Sequence, residues 1–380
     1  MASSQFVVSC VTPVAPVPGA LLHALHADIG FPSAAARAAA WRRALAACGR
    51  SALPQAIEQV AIRFVMGAGQ IEQAANEEGL VAAVAGPGEL SFAALAGAAR
   101  AQCGAQLGNL AQRIVPQAEL ASLVLPSDLH AQLRELCARV ATREAVRRDW
   151  AAGSVHARVV GVTALFAGPS GTGKTLAAEA IAHELGFDLY RIDLASIVSK
   201  YIGETEQNLD RVFRAAEHAN AVLFFDEADA LFGKRSAVKD AHDRYANIEV
   251  AYLLQKMEQF DGLAVLATNL KQNLDEAFAR RLTFTLNFPF PEQPQRRQLW
   301  ESLWPPRAPR GADVDFDWLA SEFRFSGGNI SNTLLAAAHL AAADGQIVMQ
   351  SHVLRATRRE FQKLGKSIAE PARGMVNGAT

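Results

Sequence analysis

Cysteine is scarce in this chain of 380 residues, and charge of neither sign is in excess. Its four cysteines, Cys10, Cys48, Cys103 and Cys137, show no C-x-x-C spacing and no nearby histidine at ligand spacing. That argues against a zinc site and against a disulfide framework, and the four read as small buried hydrophobes in a reducing compartment. Lys and Arg number 37 against 38 Asp and Glu, a formal charge of −1, so the overall balance shows no basic footprint for nucleic acid. A local patch lining a ring or channel would escape that count. No uninterrupted apolar run approaches the roughly 20 residues that a membrane helix needs, and no Lys or Arg precedes an apolar core at the N-terminus. These absences predict a soluble, cytoplasmic protein with no membrane partner. Half of the residues are hydrophobic, ample for packed cores, and the length suggests two or three domains.

Against that background one stretch stands out, Val162 to Gly186. Its middle, Gly168, Pro169, Ser170, Gly171, Thr172, Gly173, Lys174 and Thr175, satisfies G-x-x-x-x-G-K-[ST] at every position. Each residue type has a physical task in such a loop. Glycines let the backbone curl so that successive N–H groups point at phosphate oxygens, and the following helix adds the partial positive charge of its N-terminus. Lys174 is expected to reach the β- and γ-phosphates, and the Thr175 hydroxyl to ligate Mg²⁺. The context agrees: Val162 to Ala167 is an apolar, strand-forming run, and Leu176, Ala177, Ala180, Ile181 and Leu185 define a helical face stopped by Gly186. ATP with Mg²⁺ is the expected cofactor.

From Val160 onward strands alternate with helices, the pattern of a parallel sheet with helices on both faces. Strands are predicted at about 162–167, 188–193, 221–225, 262–267 and 283–287. The third is Ala221 to Phe225, which delivers Asp226 and Glu227 to the edge where such sheets present ligands. Asp226 is expected to help hold Mg²⁺, and Glu227 to polarise the attacking water. A later strand ends in Asn269, which could fix that water or simply form a turn. Arg280 and Arg281 have no acidic partner at favourable helical spacing downstream, and paired guanidinium groups suit γ-phosphate stabilisation from a neighbouring subunit. In Ser199 to Glu206, Lys200, Tyr201, Ile202 and Gly203 set an aromatic on a polar loop, as a gripping surface or as cover for a core edge.

Residues 1–112 are Ala-rich and mostly helical in pattern, and they align with the C-terminal part of the same chain. Phe31, Pro32, Arg37 and Trp41 pair with Phe290, Pro291, Arg296 and Trp300 at one offset of 259 (31 to 290). The same offset sets Phe64 on Phe323, Gly69 on Gly328, Ile71 on Ile330, Leu95 on Leu354 and Arg100 on Arg359. Opposite Asn269, Arg280 and Arg281 stand Cys10, Leu21 and Leu22, so this copy has no recognisable catalytic group. It is expected to be structural or partner-binding, and a chain starting near Gln112 is expected to fold and bind ATP without it. Residues 113–160 read as a connector with a helix opened by Pro126 and Ser127, residues 161–291 as the nucleotide-binding α/β domain, 292–366 as a small all-helical lid and 367–380 as a tail.

Together these residues resemble the AAA+ ATPases of the substrate-threading branch, over about residues 115–366. GPSGTGKT and LFFDEADALF are similar to the two nucleotide motifs of that family. Asn269 resembles the first sensor, Arg280 and Arg281 the arginine fingers acting in trans, SKYIGETE the pore loop, and Ser326 to Ile330, with Gly328, the lid signature that contacts nucleotide. The resemblance implies a P-loop NTPase fold followed by a helical lid, ATP hydrolysis to ADP and phosphate, self-assembly into a ring, with a hexamer the expected size, and a protein client. GKRSAVKDAHDRYANIEVAYLLQ and FPFPEQPQRRQLW further resemble bacterial AAA proteins encoded beside phage-tail-like contractile injection systems, which carry a degenerate AAA module ahead of the active one. The N-terminal region would be the remnant of that module, resembling its lid, either because the rest was lost or because the start codon lies upstream. The expected task is remodelling during assembly or disassembly of such a particle. A nucleotide-gated scaffold with little turnover and a nucleic-acid translocase are the alternatives.

Overall fold

The computed structural model describes residues 32–76, 89–103, 111–146, 161–197, 204–217, 221–229, 241–269, 280–345 and 347–365. Four helices come first: α1 Ala34–Ala47, α2 Pro54–Arg63, α3 Ala68–Asn76 and α4 Phe92–Cys103. Ser33 caps α1 by accepting from the Ala36 N–H, and Pro54 opens α2, where its missing donor costs nothing. Trp41, Val60, Phe64, Ile71 and Leu95 are fully buried where the four helices meet.

A short strand, β1 Gln112–Ile114, follows, then α5 Ser127–Ala145. β1 went unforeseen because its three residues carry little apolar pattern. It is held by antiparallel pairing to β3, Asp188–Asp193, and by Arg113, whose Nε donates to Asp188 Oδ2 at 2.8 Å.

The α/β domain contains β2 Val162–Ala167, α6 Lys174–Leu185, β3, the short α7 Leu194–Ile197, α8 Glu204–Glu217, β4 Ala221–Asp226, α9 Ala241–Gln259, β5 Leu263–Thr268 and β6 Phe284–Asn287. The sheet order is β1-β3-β4-β5-β2-β6, with every pairing except β1 to β3 parallel. All six residues of β2 and of β5 are buried, as strands covered on both faces require. The side chains of β2 alternate between two cores. Val162, Ala164 and Phe166 join α5 and α6 on one side, while Leu165 and Ala167 join α8 and α9 on the other. Leu176, expected on the buried face of α6, is instead exposed, because the buried stripe runs through Ala177, Ala180 and Ile181.

The lid consists of α10 Gln293–Ser302, α11 Phe316–Glu322, α12 Gly327–Ala343 and α13 Gln350–Lys363, around an aromatic core of Trp300, Phe316, Phe323 and Phe325. Its first three helices share particular contacts with the N-terminal four. Arg37 Nε donates to Ala61 O at 2.8 Å and its Nη1 donates to Pro32 O. Arg296 repeats this on Ala320 O at 2.9 Å and Pro291 O at 2.8 Å. Phe64 and Phe323 end α2 and α11 with nearly the same backbone, φ −107° and ψ 114° against φ −106° and ψ 109°. At the two isolated bridges the correspondence differs by one, although Ala61 and Phe64, which lie between Ala52 and Leu90, keep the offset of 259. Ala52 bridges Leu90 and Arg310 bridges Val348, an offset of 258 (52 to 310, 90 to 348). The last helices follow the bridges' offset, since Leu95, Ala98 and Ala99 are buried and so are Val353, Ala356 and Thr357. Pairing Leu95 with Leu354 and Arg100 with Arg359 is therefore one residue out, a rotation of about 100° on a helix.

The N-terminal helices also share a core with the α/β domain. Trp41, Ile57 and Phe64 belong to one apolar cluster with Leu133, Leu136, Ile181, Phe166 and Phe288. Arg63 Nη1 donates to Glu184 O and Leu185 O, the last carbonyls of α6, at 3.2 Å each, and its guanidinium lies 4.7 Å from the Phe92 ring centre. Phe64 meets Phe187 edge to face at 5.6 Å. The expectation that a chain starting near Gln112 folds unaided does not fit this interface, because the cut would expose the buried Leu185 to Phe187 surface.

Candidate functional site

Parallel pairing brings the C-terminal ends of β2, β4 and β5 to one edge of the sheet, with β5 between the other two. Each strand end delivers a different group there. β2 runs into the glycine-rich loop, β4 ends in Asp226 and Glu227, and β5 ends beside Asn269.

The loop is fitted closely to its neighbours. A Cβ on Gly168 would lie 2.1 Å from Phe288 O, so only glycine can occupy that position. Gly171, at φ 76°, would press a Cβ to within 2.5 Å of Ser326 Oγ. Its carbonyl accepts the Gly328 N–H at 3.0 Å, which joins the lid to the loop's apex. Ser326 and Asn329 close the N-terminus of α12 as a reciprocal cap, and Asn329 is steadied by Glu360 at 3.0 Å. Pro169 and Ser170 are exposed, and Thr172 Oγ1 donates to Pro169 O at 2.8 Å.

Lys174 is the centre of the site. Its side chain is buried, and Nζ donates to Gly168 O at 2.6 Å, Pro169 O at 2.9 Å and Asn269 Oδ1 at 2.9 Å. Burial lowers its pKa, while the charges of Asp226 and Asp229 act in the opposite direction. Thr175 follows on the first turn of α6, half-buried.

Asp226 Oδ2 accepts from Arg191 of the adjacent β3 at 2.6 Å and 3.0 Å, and Oδ1 accepts the Glu227 N–H at 3.0 Å. Glu227 is exposed and has φ 54°, the one non-glycine residue with positive φ among the described residues. An L-residue held there costs roughly 1–2 kcal/mol, the kind of local strain that clusters at working sites.

Asn269 is held by Asp229. The Asp229 carboxylate accepts from the Asn269 backbone N–H at 3.0 Å and from Nδ2 at 3.0 Å, and it also accepts a short bond from Thr268 Oγ1. Sequence reasoning singled out neither Asp229 nor Arg191. Asp229 could have been noticed as the last residue of the run Asp226 to Asp229, and Arg191 as a charge inside a mostly buried strand.

Arg280 and Arg281 are not brought to this site. The Arg281 carbonyl accepts from Thr163 Oγ1 at 3.3 Å, at the start of β2, whereas the loop follows Ala167. That separation is roughly 13 Å along the strand. Both arginines are exposed, and Arg281 Nε lies 3.8 Å from Glu258 Oε1 of α9, an acidic neighbour that no downstream helical spacing could reveal. Lys200, Tyr201, Ile202 and Gly203 lie outside the described residues.

The donor set fits a Mg²⁺ nucleotide. Among the described residues no group of three or more His, Cys, Asp or Glu side chains could hold a metal alone. Thr175 and Asp226 offer hard oxygen donors of the kind that Mg²⁺ takes alongside phosphate oxygens and water. Among the described residues no helix is long and apolar enough to cross a membrane.

Residues 164–290 match the family described as "ATPase family associated with various cellular activities (AAA)". The chain is 41% identical over 128 residues to an uncharacterized AAA family ATPase of Sinorhizobium fredii, covering 34% of this chain and 39% of that protein. It is 32% identical over 193 residues to a "Probable 26S proteasome regulatory subunit 6B" of Caenorhabditis elegans, covering 49% of this chain and 46% of that protein. Less than half the length of either relative is thus spanned. Residues 164–290 are an AAA ATPase domain.

Proposed function

We propose that this chain is an ATP-hydrolysing, ring-forming protein remodeller. The observation that carries the reading is the bond from Lys174 Nζ to Asn269 Oδ1, on the sheet edge that also presents Asp226 and Glu227. A buried ammonium between a curled glycine loop and two carboxylates suits a polyanion with a divalent cation, and the AAA match supports ATP. When bound, Mg²⁺·ATP supplies the transferable phosphoryl group and the cation that neutralises charge developing on it.

The chain's own residues then divide the work. The loop N–H groups and Lys174 hold phosphate oxygens, and Thr175 and Asp226 hold the metal. Glu227 orients the attacking water and accepts its proton, and Asn269 fixes that water's position. Gly328 ties the lid to the loop, so nucleotide occupancy is transmitted to the helical domain through backbone. Arg280 and Arg281, remote from the chain's own Lys174, serve the site of a neighbouring copy. The 26S proteasome regulatory subunit among the relatives supports a protein client gripped by Lys200 to Gly203. The two stretches resembling proteins of contractile injection systems support a client among the components of such a particle.

Glu227→Gln tests the reading. It should retain binding of a fluorescent ATP analogue while lowering turnover at least ~10²-fold, because only the water-activating group is lost. Equal turnover in variant and parent would remove Glu227 from the chemistry, and a parent without steady turnover would leave a nucleotide-gated scaffold as the better account.

A further inference from the structure

We propose that Asp229 is a positioning residue for hydrolysis, acting through Asn269; the inference rests on the ATPase reading above. Asn269 is exposed and ends a strand, so its side-chain amide could turn either way about its last torsion. Its neighbours permit one orientation only. Lys174 Nζ is a donor without acceptor capacity, and it meets Asn269 Oδ1 at 2.9 Å. The Asp229 carboxylate is an acceptor without a donor, and it meets Nδ2 at 3.0 Å. Turning the amide by half a revolution would set a donor against Lys174 and an acceptor against Asp229, breaking both contacts at once.

Asp229 also holds the backbone from which Asn269 projects. Its Oδ1 accepts from the Asn269 N–H at 3.0 Å and from Thr268 Oγ1, so the end of β5 and the amide share one anchor. The anchor sits three residues beyond Asp226, on the segment that leaves β4. One carboxylate therefore links the strand that carries the metal and water groups to the strand that carries Asn269. With the amide locked, the second N–H of Nδ2 is held in one direction as well. The Asp229 carboxylate bonds to Thr268 and Asn269, and its effect on the reaction passes through the amide it fixes.

The test compares the parent chain with Asp229→Ala, Asp229→Asn, Asn269→Ala and the double variant Asp229→Ala/Asn269→Ala. Asp229→Ala should lower kcat about 10- to 100-fold, the range for lost supporting partners, with KM for ATP within about threefold. Asp229→Asn, which keeps one acceptor oxygen, should fall between parent and Ala. The double variant should be no slower than Asn269→Ala alone, because both changes remove one function. A readout independent of turnover is the pair of ¹⁵N side-chain amide signals of Asn269, assigned by their loss in Asn269→Ala. They should be sharp and slow to exchange with solvent in the parent, and broadened in Asp229→Ala. Unchanged amide signals, or a double variant whose loss is the product of the two single losses, would overturn the proposal. A parent that shows the sharp amide pair yet turns over no ATP would sink the ATPase reading and leave the anchoring of Asn269 standing.

Discussion

Phe64→Ala asks whether the N-terminal helices and the nucleotide domain are one cooperative unit. Phe64 is fully buried, its ring meets Phe187 edge to face at 5.6 Å, and both belong to the cluster that runs on to Phe166 and Phe288 in and beside the sheet. Truncating such a ring leaves a cavity and costs roughly 3–5 kcal/mol. For a unit of this size each kcal/mol moves Tm by about 2–4 °C, so the loss should be on the order of 10 °C. Phe323→Ala is the matched control. It occupies the corresponding C-cap in the lid, but its ring contacts, Trp318, Phe325 and Phe361, are all within the lid. Calorimetry of both variants with and without Mg²⁺·ATP separates the possibilities, since bound ligand raises only the transition that disrupts its site. Phe64→Ala should lower the ATP-sensitive transition itself. If it lowers a separate transition that ATP does not move, and leaves the ATP-sensitive one at the parent's temperature, the shared-core reasoning fails.

Two further perturbations probe charge. Burial raises the pKa of Asp188 against the opposing pull of Arg113, so the folded chain holds that proton more tightly than the unfolded one. Its contribution to stability is fully present below the unfolded carboxyl value and is lost as pH rises through the raised value. Urea titrations should therefore find parent stability gaining on Asp188→Asn as pH falls from neutral to mildly acidic; an unchanged difference would show that Arg113 fully offsets the burial. Arg191→Gln removes the guanidinium that pairs with Asp226 at 2.6 Å, and leaves that carboxylate's negative charge without a competing protein cation. The Mg²⁺ concentration giving half-maximal ATP turnover should fall several-fold, and a rise would mean that Arg191 supports the metal site instead of competing with it.

Much of the site is legible in the sequence, because its parts are local. A glycine loop, its lysine and its threonine lie within eight consecutive residues, and the curl they need is a backbone property that residue type dictates. The same holds for strands β2 to β6, whose apolar runs were placed to within a residue or two, and for the pair Asp226 and Glu227, set at a strand end by five apolar residues before them. The likeness between N-terminal helices and lid was also visible, since Arg37 and Arg296 must each find two backbone carbonyls at the same spacing.

Tertiary structure alone decided how these pieces meet. Placing β5 between β2 and β4 is a choice of strand order, which no local pattern encodes, and it brings Lys174 to Asn269 across 95 positions of chain. Asp229 on Asn269, Arg191 on Asp226 and Glu258 beside Arg281 are likewise pairings between separate elements. So is the clasp of Arg63 on the end of α6, which makes an N-terminal unit without recognisable catalytic groups part of the ATPase domain's own core. Residue types and their spacing determine which chemistry is available and which face of each element is apolar. Where an exposed amide points, and which carboxylate steadies it, depends on which strands lie side by side, because hydrogen bonds form between whatever groups the fold brings within about 3 Å.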